Sequence, residues 1–105
     1  MRSNATADNV PASERPFRAV SSVYGNLANV YVNEYFEDAV KTVVTLYFVS
    51  QGERFKHFTF VLGKGKTRAA FTDLVAGDYC AEAVQLDASG ESVSAVTEFS
   101  IVLHT

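Results

Sequence analysis

The chain has 105 residues, enough for one domain that buries a core without a metal or disulfide staple. It is 48% hydrophobic and 20% charged, a folded rather than disordered composition, and its net charge of −3 does not by itself call for nucleic acid or a membrane. No apolar run approaches a membrane span, and the sole cysteine, Cys80, excludes an internal disulfide.

Residues 1–16 are small, polar and broken by two prolines, and they read as a mobile leader ahead of a domain over 17–105. The leader has no apolar signal core. Its Asn4-Ala5-Thr6 is a formal glycosylation acceptor. From Phe17 onward, runs rich in Val, Tyr, Phe and Thr alternate with small turn clusters, at the spacing of an all-β sandwich. Strands are expected near 17–24, 28–35, 39–49, 54–62, 66–72, 79–86 and 93–103. In the third, Val40, Thr42, Val44, Leu46 and Phe48 share a face opposite Lys41, Val43, Thr45, Tyr47 and Val49. In the fourth, Phe58, Phe60 and Leu62 oppose Phe55, His57, Thr59 and Val61.

Residues 71–92, FTDLVAGDYCAEAVQLDASGES, have a helical rival, because Val75, Tyr79, Ala83 and Leu86 fall at helical spacing. Gly77 would lie in the first turn of that helix, which weakens it. Leu74-x-x-Gly77-x-Tyr79, followed by Gly90-Glu91-Ser92-x-Ser94, resembles the second half of a fibronectin type III or related immunoglobulin-like domain. Residues Val43–Glu53 are similar to that family's strand C and its exit. The resemblance implies a seven-stranded antiparallel β-sandwich in which Leu74 plugs the core and Gly77 makes the turn. Tyr79 then opens strand F, with its hydroxyl bonded back to the corner backbone. It also implies that strands C, F and G lie in one sheet.

No nucleophile elbow or phosphate loop is present, and Cys80 and His57, which alternation aims at one outer face, have no nearby helix N-terminus to activate the thiol. The expectation is a protein that is not an enzyme and needs no cofactor or metal. Residues 54–68 carry Arg54, Lys56, Lys64, Lys66 and Arg68 without an acid, which leaves four basic residues against all twelve acids elsewhere. Lys64, Lys66 and Arg68 are candidates for binding a polysaccharide or other polyanion, with Tyr31 or Tyr35 in support; lysines that protect a sheet edge are the rival reading. On the outer face of strands C, F and G the expected interface comprises Val43, Tyr47, Val84, Leu86 and Val96. The primary expectation is therefore a protein-interaction or assembly module that docks through this apolar face onto another protein or a second copy. An extracellular, cell-surface or virion-associated setting is favoured.

Overall fold

From Gly77 the chain runs extended to Leu86 in one ten-residue strand, which settles the ambiguity of residues 71–92 against the helix. The computed structural model describes residues 11–104. Seven strands follow in order: β1 (Ala19–Tyr24), β2 (Leu27–Val32), β3 (Lys41–Ser50), β4 (Glu53–Gly63), β5 (Arg68–Phe71), β6 (Gly77–Leu86) and β7 (Thr97–Leu103). They form two antiparallel sheets, ordered β1-β2-β5 and β4-β3-β6-β7, in the arrangement of a β-sandwich.

Residues 1–10, including the Asn4 acceptor, lie outside the described residues. In the remainder of the expected leader, Ala12–Glu14 form a single 3-10 turn. Arg15 accepts a backbone hydrogen bond from Ala95 at 2.7 Å, and its guanidinium lies 4.3 Å over the Phe36 ring.

The core lies between the sheets. Val30 and Val32 of β2, Val44 and Leu46 of β3, Ala81 and Ala83 of β6 and Ile101 of β7 are fully buried, with Phe17 anchored just ahead of β1. Each large apolar side chain removed from water here contributes about 1.5–3 kcal/mol. The alternation expected for β3 holds, since Thr42, Val44 and Leu46 are buried while Lys41, Val43, Thr45 and Tyr47 are only partly covered. The last strand starts later than expected, at Thr97. Ser94 interrupts it by accepting the Gln85 amide N–H at 2.9 Å and donating to the Ala95 carbonyl.

The β5–β6 corner needs a glycine at position 77. The Tyr79 hydroxyl donates to the Val75 carbonyl at 2.8 Å, and the Tyr79 ring meets Phe48 edge-on at 5.3 Å between centroids. This seats the ring in the core only because Gly77 adopts φ 152° beside Phe48. A Cβ at that position would come within 2.8 Å of the Phe48 ring.

Alternation does not reveal the partners of one inward polar residue, nor a bulge. Gln85 points inward from β6 and is wholly buried; its side chain donates to the Glu34 carbonyl at 2.7 Å and accepts from the Phe36 N–H at 3.1 Å. The bulge lies between β3 and β4. Leu46 pairs with Phe58 but Tyr47 pairs with Lys56, which leaves His57 as an extra residue. The extra residue reverses the faces of β4 ahead of it. Phe55 therefore stands opposite Phe48, on the same side as Phe58, rather than opposite it as expected.

Candidate functional site

The outer face of the four-stranded sheet is built in rows by the strand registers. One row is Val61–Val43–Val84; the next is Thr59–Thr45–Glu82–Glu98; the third is Lys56–Tyr47–Cys80–Ser100. Lys41 and Leu86 pair beside the first row, and Val96, 55% exposed, lies just before β7. Of the five expected interface residues, Val43, Val84 and Leu86 thus share one corner. Tyr47 stands two rows away, and Val96 precedes the strand.

The face is not mostly apolar, because its middle carries charge. Arg54, moved to this side by the bulge, donates to Glu82 at 2.7 Å and to Glu98 at 3.3 Å. Its guanidinium also lies 5.7 Å from the centre of the Tyr47 ring. The Tyr47 hydroxyl reaches Glu82 at 3.4 Å. Partial burial, then the Glu82 carboxylate, hold the Tyr47 phenol above its ordinary pKa. The hydrogen bond that Arg54 donates to Glu82 likewise pushes the guanidinium further up. Nothing in the sequence flags this cluster, since a bulge leaves no mark in a run of alternating residues.

Cys80 faces this side but is only 8% exposed, and desolvation raises its thiol pKa against the opposing pull of Arg54. His57 does not share its face. Placed by the bulge, the imidazole meets the ring of inward-facing Tyr79 edge-on at 6.2 Å. The expected proximity of thiol and imidazole on one surface is therefore corrected.

The basic segment is spread out rather than gathered. Arg54 is engaged by the two glutamates, while Lys64 sits at the far end of β4 and donates to the Glu37 carbonyl at 2.7 Å. Lys66 and Arg68 are exposed, and Arg68 pairs across the sheet with Tyr31. Tyr35 is not a surface platform, because β2 ends at Val32 and the Tyr35 hydroxyl donates to the Lys66 carbonyl at 2.7 Å while its body packs on the core. Asn29, two residues before Tyr31 on β2, is buried with its Oδ1 unpartnered. Among the described residues, no three His, Cys, Asp or Glu side chains gather as a metal would require. Nor is any helix long and apolar enough to cross a membrane.

A solved structure that the chain resembles is that of the spore cortex lytic enzyme SleM of Clostridium perfringens, with a TM-score of 0.59 at 13% identity. The match covers 93% of this chain but 30% of that one, and at this identity the likeness extends to the fold alone. No protein-family model matches the sequence. No curated protein matches it either.

Proposed function

We propose that the chain is a fibronectin type III-like or immunoglobulin-like interaction module that docks through the apolar corner of its four-stranded sheet. Two features favour that fold family: the sheet orders β1-β2-β5 and β4-β3-β6-β7, and the Tyr79 hydroxyl bonded back to the Val75 carbonyl. The observation that carries the docking role is the row Val61–Val43–Val84 with Leu86 alongside, a contiguous apolar strip on a face turned away from the core. The neighbouring Arg54–Glu82–Glu98 cluster supplies a polar rim, the usual surround of an apolar docking centre. Burial of the strip favours association by roughly 25 cal/mol per Å² before the costs of association.

The polyanion reading, through Lys64, Lys66 and Arg68, is the weaker one because Lys64 already donates to a backbone carbonyl. The test is light scattering over a concentration series, together with pull-down by the immobilised chain, for wild type and Val84→Lys. Association that Val84→Lys removes without unfolding the protein supports the module. Association indifferent to Val84→Lys, or its absence at every concentration and from every partner tested, ends the proposal.

A further inference from the structure

The longest strand, β4, is an edge of its sheet: over eleven residues its only sheet neighbour among the described residues is β3. At about 3.3 Å per residue it runs for roughly 36 Å. An edge leaves alternate backbone N–H and C=O groups unpaired, and proteins guard such edges with charges, prolines or bulges. The first half of β4 is guarded in this way by Arg54, Lys56 and the bulge at His57. The second half, Phe58–Gly63 (FTFVLG), has no charge and no proline, and it pairs with β3 in unbroken register. The Gly63 carbonyl already accepts from the Lys66 N–H at 3.0 Å and the Tyr35 hydroxyl at 3.1 Å, so the open stretch is Phe58–Leu62.

That unguarded half borders a groove of about 240 Å³ between β4 and β5, lined by His57, Phe58, Phe60, Phe71 and Leu74. Phe58 is 53% exposed, yet its ring already meets Phe71 edge-on at 6.1 Å, so one side of the ring is packed and the other is open. A strand laid along β4 would aim alternate side chains into this groove and the others across Val61, which is 57% exposed on the outer face.

Charge decides the occupant. A second copy pairing its own β4 antiparallel over Phe58–Leu62 would bring each copy's Lys56 toward the turn after β4 that carries the other's Lys64 and Lys66. That pairing brings like charges together, which is destabilising. Residues 54–68 contain no acid, so the neutral edge is flanked by cations: Lys56 on one side, Lys64 and Lys66 on the other. We propose that Phe58–Leu62 is a strand-addition site for an extended segment of another protein, with apolar side chains at alternate positions and carboxylates at both ends. This site is separate from the corner at Val84 and Leu86, and either can fail without the other.

The probe is a capped peptide, Glu-Glu-Val-Thr-Val-Thr-Val-Glu-Glu, titrated into the full chain and followed by amide NMR. Saturable shifts and slowed amide exchange confined to β4 and the groove are expected. Binding should weaken several-fold in Lys56→Glu, when lysines replace the peptide's glutamates, and as salt rises. Phe58→Ser should also weaken it; should that variant unfold, exposed Lys56→Glu still reports on the site. A peptide N-methylated at alternate residues should not bind, and Val84→Lys should bind as wild type does. Absence of shifts on β4, or equal binding by the N-methylated peptide, overturns the proposal. So does self-association that Phe58→Ser abolishes, because the occupant would then be a second copy.

Discussion

Replacing Gly77 with alanine tests the corner on which the two-layer packing depends. At φ 152° a residue with a Cβ is strained by about 1–3 kcal/mol. The added methyl would also sit 2.8 Å from the Phe48 ring, which cannot retreat freely because it is held edge-on against Tyr79. Overpacking of this kind costs about 1–3 kcal/mol, so Gly77→Ala should lose roughly 2–6 kcal/mol in all. In a domain of this size that lowers the melting temperature by about 10 °C or more. Gly90→Ala is the internal control: its φ is 90°, but nothing lies within 4 Å of the added methyl, so only the backbone strain should appear. Urea denaturation of both variants, and of Gly77→Ala in a Phe48→Leu background, separates the two contributions. Trimming Phe48 should recover about 1 kcal/mol of the loss as a favourable coupling. Equal losses for the two glycine variants, or no coupling to Phe48, would refute the steric account.

Tyr79→Phe should cost about 1 kcal/mol by removing the bond to the Val75 carbonyl, which can turn to water because Val75 is exposed. A loss above about 3 kcal/mol would mean instead that the ring had moved. Gln85→Leu should cost more, about 2–4 kcal/mol, since it strands the Phe36 N–H and the Glu34 carbonyl together; a neutral result in urea would show that water reaches both. Asp87 accepts from the Ser89 hydroxyl, then from the Glu91 and Ser89 amides, and its carboxyl is held below the ordinary range. Because the folded pKa is the lower one, its stabilisation is complete above the unfolded value of about 3.9 and fades as pH falls through the folded value. The stability gap between wild type and Asp87→Asn should therefore narrow on acidification, and a gap that widens would contradict the assignment.

Seven strands, their order along the chain and the corner at Gly77 were legible because each rests on a local signal. Turn residues mark the breaks, alternation marks the faces, and Leu74-x-x-Gly77-x-Tyr79 marks the corner. The site was legible only in part. Val43, Val84 and Leu86 share a corner because strict alternation on β3 and β6 aims them there. Arg54 could not be placed, since one extra residue at His57 reverses every side chain ahead of it on β4 and a bulge has no distinctive residue pattern. Tyr35 was misplaced for a related reason: β2 stops at Val32, three residues short of the expected end, so alternation no longer governs it. Gln85 reads as a lone polar residue in an apolar run, and only the crossing of residues 34–36 over it supplies its partners.

Apolar layers pressed together have no preferred offset, because dispersion and water exclusion are nearly indifferent to small sideways slips. The amide of Gln85 removes that freedom. By gripping the connection that carries the chain from the three-stranded layer to the four-stranded one, it gives the stack a single alignment, much as a dowel locates two planks that glue alone would let slide.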